Sequence, residues 1–191
     1  MGLDTTAFRS FEPLPGHPDE YCDEDGPEDG EGCYERGHEK VFAYADFPHA
    51  LDGFPGEPTV SETWGSKFIE KGWVKIDRDN PVGSTHASYS GHGIFRDLLR
   101  AAGGWPETAD KWDLDVEQIK DLPFFELIWF ADNEGTLGPV ACAALVDDFE
   151  KYRENFIAVT DSTRADWWIS LYDDWAECVK GAANTGFIDF H

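Results

Sequence analysis

The stretch ELIWFADNEGTLGP, residues 126–139, is the most informative part of the sequence because an apolar run ends there in an acidic, glycine-rich turn. The run 124–131 is too apolar for an edge strand and predicts a strand in the centre of a sheet. Pro139 suits the first position of a following helix, which needs no backbone N–H. Polar groups gathered between a strand and a helix are typical of ligand sites, so the stretch also predicts one.

Elsewhere the apolar residues recur with the periods of strands and helices. Strands are predicted near residues 3–11, 41–45, 68–76 and 187–191, and helices near 93–103, 115–122, 139–156 and 165–180. These elements predict an α/β fold, with α+β as the alternative, in which helices pack against a central mixed sheet. With 41% hydrophobic and 15% aromatic residues, the chain of 191 residues can bury one core, so residues 1–191 are predicted to form a single domain.

Residues 13–38 are rich in proline, glycine and acid, and they predict a surface insertion in this domain. Two cysteines and two histidines of this region form a symmetric array with H-x4-C-x10-C-x4-H spacing: His17, Cys22, Cys33 and His38. Thiolates and imidazoles suit zinc, but the short C-x2-4-C spacing of zinc modules is missing. The favoured prediction is therefore no metal and no cofactor, with zinc or another divalent metal at this array as the alternative. Cys142 and Cys178 lie in helical patterns and are predicted to be core side chains.

The acidic charge limits the possible partners. Thirty-nine acidic against 15 basic residues give a formal net charge of −24, which opposes direct nucleic-acid binding. A small anionic ligand in a closed pocket remains compatible with that charge. No apolar run approaches the roughly 20 residues of a membrane span, and the N-terminus lacks a signal-peptide pattern, so a cytoplasmic protein without membrane contact is predicted. The oligomeric state is left open.

Three distant segments are predicted to form one ligand pocket. Its predicted ligand-binding residues are Ser88, Tyr89, Ser90, Arg96, Glu126, Asp132, Glu134, Asp189 and His191. The hydroxyls stand before a helix whose N–H groups can hold an anion, and Glu126 would be a carboxylate buried in an apolar strand. Structural roles are the alternative for the same residues. Residues 88–93 can form an ordinary turn and N-cap, with Ser90 or His92 near the helix start, and this is at least as strongly indicated as an anion site. Glu126 can equally be a structural partner of a backbone amide or Arg96, and capping of the next helix is favoured for at least one of Asp132 and Glu134.

A metal or hydrolytic site is the competing interpretation. It would combine histidines with the acids of the turn and the C-terminus: His86, His92, Asp132, Glu134 and His191. Glu126 would join the acids at the metal. His92 or His191 would then act as acid or base in a hydrolase such as a phosphodiesterase. The spacing of these histidines is not that of a common metal motif. No catalytic residue is therefore assigned.

Several segments resemble a family of small uncharacterised proteins encoded by bacteriophages and some bacteria. The resemblance lies in MGLDT at 1–5, SYSG at 88–91, FELI with the acidic turn and GP at 125–139, and DFH at 189–191. His92 and Gly93 depart from the aromatic residue or Asn that is more usual after SYSG, which weakens a family role for His92. The resemblance implies a phage protein acting in the cytoplasm of an infected host.

This context favours an accessory protein that binds a small molecule without turning it over. The expected ligand is a nucleotide-derived immune signal of the host, which a phage protein would sequester as an anti-defence function. The alternatives are a metal-dependent hydrolase of a nucleotide and an acidic protein that mimics nucleic acid to inhibit a host factor.

Overall fold

The strands nearest the two ends of the chain pair with each other at the centre of the main sheet. The computed structural model describes residues 2–14, 38–41, 72–77, 80–107, 114–129, 135–160 and 163–190. Its strands are β1 (Gly2–Phe8), β2 (Phe11–Leu14), β3 (His38–Val41), β4 (Gly72–Ile76), β5 (Gly83–Ser88), β6 (Gly135–Leu137) and β7 (Phe187–Phe190). Four of them form a sheet in the order β5-β1-β7-β6, and three form a second sheet in the order β2-β4-β3.

The strand pairs of both sheets are antiparallel, where the sequence predicted a mixed sheet. Ser10 and Thr185 make an isolated parallel bridge outside the named strands. Parallel neighbours need long crossovers that return each strand in the same direction, whereas β1 runs antiparallel to both of its neighbours. Helices packed against these antiparallel strands confirm the predicted class in its α+β form.

The helices are α1 (Tyr89–Gly103), α2 (Val116–Ile119), α3 (Phe125–Trp129), α4 (Pro139–Val159) and α5 (Ala165–Ala182). α1, α4 and α5 cover one face of the four-stranded sheet, which is called the inner face below. Pro139 begins α4 as predicted. Leu145, Phe149 and Phe156 form its buried stripe, with Tyr152 half-buried beside them. The periodicity of α4 was therefore a reliable signal.

The last long helix also follows its sequence pattern. The predicted apolar face of α5 is buried: Trp168, Leu171, Tyr172, Trp175 and Val179. The helix begins at Ala165 with Arg164 as its N-cap, and the N-cap side chain makes no capping hydrogen bond. Cys142 on α4 and Cys178 on α5 are buried free thiols, as predicted.

The prediction of a central strand at 124–131 is wrong. Residues Phe125–Trp129 form α3, a short helix in which all five side chains are buried. An apolar run without a clear period is compatible with either a buried strand or a helix enclosed on all sides. Residues 124–129 of this run are nevertheless buried in the core, and β1 and β7 take the centre of the sheet instead.

The second sheet packs near one end of the opposite, outer face. Phe8 of β1 and Phe187 of β7 are buried there with Ile76 of β4, and Phe11 packs against them. The rings of Phe8 and Phe187 have centroids 5.1 Å apart, and those of Phe11 and Phe187 are 5.5 Å apart. This aromatic contact joins the two sheets.

Several sequence predictions fall outside the described residues. The insertion predicted at 13–38 begins in β2 and ends in β3, and both strands pair with β4, but residues 15–37 lie outside. His17, Cys22 and Cys33 of the possible zinc array also lie outside the described residues. Among the helices described, none is long and apolar enough to cross a membrane.

Candidate functional site

The hydroxyl segment at the start of α1 has a clear structural role. Ser88 is the N-cap of the helix, and its Oγ accepts a hydrogen bond from the Gly91 N–H at 3.0 Å. The Ser90 hydroxyl lies 3.2 Å from that of Ser88, and both serines and Tyr89 are exposed. The helix therefore starts earlier than the Gly93 expected from periodicity. Capping, one of the two interpretations left open by the sequence, accounts for the position of Ser88.

The buried face of α1 carries two polar side chains one turn apart. His92 and Arg96 share this face with Phe95 and Leu99. The His92 ring meets Trp175 of α5 and Phe190 of β7 edge-on, with centroids 5.7 and 6.4 Å away. Because Arg96 follows His92 by four residues, it lies about one helical turn further along the same face. Two nitrogen-rich side chains therefore enter the space between the helices and the inner face.

Glu126 is buried from the side of α3, as its apolar surroundings predicted. The helix α3 packs against both α1 and α4. Burial is the main cause that raises the pKa of Asp148 and of the Cys142 thiol, and the carboxylate of Glu126 raises both further. Since both groups belong to α4, Glu126 lies within electrostatic reach of that helix. The prediction that Glu126 shares one face of a strand with Phe124 and Ile128 was wrong, because the segment is helical.

Asp189 lies on the other side of the sheet. Neighbouring residues of a strand point to opposite faces, and Phe190 of β7 points to the inner face, where it meets His92 and Trp175. Asp189 is half-buried on the outer face, in register with Thr6 of β1. The sheet therefore separates Asp189 from Arg96, and the structure does not bring these two predicted residues into one pocket.

The outer face holds a row of polar residues, of which only His86 and Asp189 were candidate site residues from the sequence. Thr6 pairs in register with Ser84, and Asp4 pairs with His86, whose Nδ1 contacts the Asp4 carboxylate. The alternation of polar residues along β1 and β5 was the available signal for this face. His86 is exposed here, whereas His92 is buried beneath the inner face, so the proposed metal set is divided by the sheet.

The nine predicted ligand-binding residues thus separate into three groups. Arg96 and Glu126 are buried on helices that contact each other. The exposed start of α1 and the outer face hold four more: Ser88, Tyr89, Ser90 and Asp189. The remaining three lie outside the described residues: Asp132, Glu134 and His191. Within the part of the chain that is described, no cluster of three or more potential metal ligands occurs.

Asp148 is a polar residue of this region that the sequence did not reveal. Its Oδ2 accepts a hydrogen bond from the Phe124 N–H at 2.6 Å. Burial raises the pKa of Asp148 from 3.8 to about 6, against the lowering effect of that hydrogen bond and with a further increase from Glu126. The residue sits in an ordinary helical pattern, so only the fold reveals its contact with Phe124.

Comparisons with protein-family models, with curated proteins and with solved structures found no match for this chain.

Proposed function

We propose that the protein binds a small anionic, nucleotide-like ligand between α1 and α3. In this proposal Arg96 and His92 contact the anionic group, and Glu126 accepts hydrogen bonds from a base or a ribose. The observation that supports it is burial: His92, Arg96 and Glu126 are only 1%, 6% and 5% exposed. Among the described residues, these are the buried side chains that carry an imidazole, a guanidinium or a carboxylate, in a core that is otherwise mostly apolar.

The physical reason is the cost of placing charges in a protein interior. Transferring an ionised side chain out of water is unfavourable by several kcal/mol unless partners compensate. A guanidinium on α1 and a carboxylate on α3 can compensate each other as a structural ion pair, or they can do so through a ligand that contacts both. The ligand interpretation adds a reason for the imidazole of His92 to share the same helix face.

The proposed role is sequestration without turnover. Sequestration requires a pocket but no catalytic motif, and the sequence contains no recognised catalytic motif. The net charge of −24 repels anions at long range, so an enclosed pocket is needed to hold an anionic ligand. The resemblance to phage-encoded proteins supports a nucleotide-derived signal of host defence as the ligand.

Titration calorimetry of the intact protein tests the proposal. The probes are a nucleoside monophosphate, a cyclic dinucleotide and adenosine diphosphate ribose. One of them should bind, and Arg96→Lys should weaken binding by about tenfold or more, or about 1.4 kcal/mol, because lysine keeps the charge but loses the planar donor pair. Arg164→Lys, at an exposed arginine, is the matched control and should bind as the wild type does.

The outcomes separate the alternatives. Chromatography of the probe after incubation would show a product if the protein were a hydrolase. Wild-type binding that Arg96→Lys leaves unchanged would contradict the proposed site. A protein that binds none of the three probes and carries no small molecule when purified from infected or defence-activated cells would contradict the proposed function.

A further inference from the structure

The turn that precedes α3 has a strained backbone held by one side chain. Phe124 has φ = 61°, and it is the non-glycine residue with positive φ among those described. A bulky residue in the left-handed region is unfavourable, on the order of 1–3 kcal/mol. The Phe124 N–H donates to Asp148 Oδ2 at 2.6 Å, so a side chain of α4 supplies the partner for this backbone group.

Packing fixes the same residue from its other side. The Phe124 ring is fully buried and contacts the rings of Phe149 and Tyr152 of α4, with centroids 5.2 and 5.8 Å away. It also meets Tyr172 of α5 at 6.3 Å. The strained conformation is therefore determined by tertiary contacts and not by the local sequence.

The first hydrogen bonds of α3 depend on this turn. The N–H groups of Leu127 and Ile128 donate to the Phe124 carbonyl oxygen at 3.1 and 2.9 Å. A change in the Phe124 backbone would therefore be transmitted to α3, and with it to Glu126. Asp148 thus bonds the residue from which the helix that carries the buried carboxylate begins.

Several charged or titratable groups act on Asp148. Glu126 on α3 and Asp147 on α4 oppose its charged form, and Lys151 on α4 favours it. Tyr172 on α5 is also coupled to it, since the Asp148 charge helps to raise the pKa of that phenol, after the larger effect of burial. Burial and the carboxylate of Glu126 favour the neutral form of Asp148, whereas the Phe124 N–H favours the charged form.

We propose that Asp148 is a proton-responsive latch for α3: the helix is held more firmly against α4 when Asp148 takes up a proton, because its half-buried carboxyl then carries no charge out of water and the repulsion from Glu126 disappears. The proposal concerns the protein without any ligand and does not rest on the proposed ligand site. The direction of the pH effect follows from the linkage between proton binding and the position of α3. A carboxyl that binds a proton more readily in the latched state than in water makes that state more favourable as the pH falls.

Nuclear magnetic resonance on the uniformly labelled protein gives a direct test. The chemical shift of the Phe124 amide should titrate with a midpoint near pH 6, following the Asp148 carboxyl. Hydrogen exchange of the Leu127 and Ile128 amides, corrected for the intrinsic rate, should slow severalfold between about pH 7.5 and about pH 5. Amides in the middle of α5 should show a smaller change, because the latch acts locally.

Matched variants separate the latch from a general effect of pH. Asp148→Asn keeps an oxygen acceptor and removes the titration, so the pH dependence of α3 should disappear while its protection remains. Glu126→Gln should move the Phe124 midpoint to lower pH, because a like charge is removed. Asp147→Asn changes the neighbouring exposed carboxylate and should leave a midpoint close to that of the wild type.

Three results would overturn the proposal. The first is a Phe124 midpoint near that of an ordinary aspartate. The second is an unchanged pH response in Asp148→Asn. The third is an equal pH response in the amides of α3 and α5, which would show that only global stability depends on pH.

Discussion

Replacing Ser88 by alanine tests whether its hydroxyl is needed to cap α1. The hydroxyl accepts the Gly91 N–H at 3.0 Å, and its loss leaves that donor to water. Removing an N-cap of this kind costs about 1 kcal/mol, which corresponds to a melting temperature lower by about 2–4 °C for a chain of this size. Thermal unfolding followed by circular dichroism would measure the shift.

Two further variants make the Ser88 prediction specific. Ser88→Asp should restore most of the lost stability, because aspartate is an equally good cap and its charge favours a helix N-terminus. Ser90→Ala is the control: this serine lies inside α1, where alanine is the better helix former, so the melting temperature should not fall. The capping argument would be refuted if Ser88→Ala were neutral and Ser90→Ala destabilising. Ligand binding lost in a stable Ser88→Asp variant would instead support a second, ligand-binding role for the serine.

Three other predictions concern the buried polar pair, the glycines and the pH dependence of stability. Thr5 and Thr85 bond to each other at 2.7 Å in the core, so Thr85→Val should cost about 1–3 kcal/mol in urea unfolding, and adding Thr5→Val should recover part of that loss. A Cβ on Gly186 would lie 1.9 Å from a carbonyl oxygen of β1, so Gly186→Ala should cost at least about 1–3 kcal/mol. Gly93→Ala should instead stabilise by about 0.5–1 kcal/mol, because a Cβ there meets nothing within 4 Å. The raised pKa of Asp148 implies stability that is present in full below pH 3.8 and lost as the pH rises through about 6. This loss would be about 3 kcal/mol for a fully buried carboxyl and about 1 kcal/mol after solvent screening. The free energy of unfolding of Asp148→Asn, relative to that of the wild type, should therefore rise by about 1 kcal/mol from pH 4 to pH 7. Equal pH profiles of unfolding for the two proteins would contradict this.

The long helices could be predicted from the sequence because their buried residues recur with the period of a helix. The buried stripe of α4 and the aromatic face of α5 repeat with the helical period, and Pro139 marks a helix start. The run 124–131 has no such period. The Phe124 N–H, directly before α3, donates a hydrogen bond to Asp148, which lies 24 residues further along the chain. Local sequence does not contain that contact.

The sequence predicted the burial or the strand face of some candidate residues, but not which of them lie close together. The apolar neighbours of Glu126 indicated its burial correctly, and the strand period correctly placed Asp189 and Phe190 on opposite faces. Which face meets the helices depends on the pairing of β7 with β1 across almost the whole chain. Arg96 and Asp189 therefore looked like members of one pocket until the register placed the sheet between them.

Native mass spectrometry of the wild type and Glu126→Gln, purified side by side from infected or defence-activated bacterial cells, would show whether the protein carries a ligand that Glu126 helps to bind. Glutamine keeps the shape of Glu126 and removes its charge, and Glu177→Gln on the exposed side of α5 is the matched control. The account predicts an additional small mass of nucleotide size on the wild type and on Glu177→Gln, and its loss from folded Glu126→Gln. The same additional mass on all three proteins would contradict a role for Glu126, and no additional mass on any of them would contradict the proposed ligand.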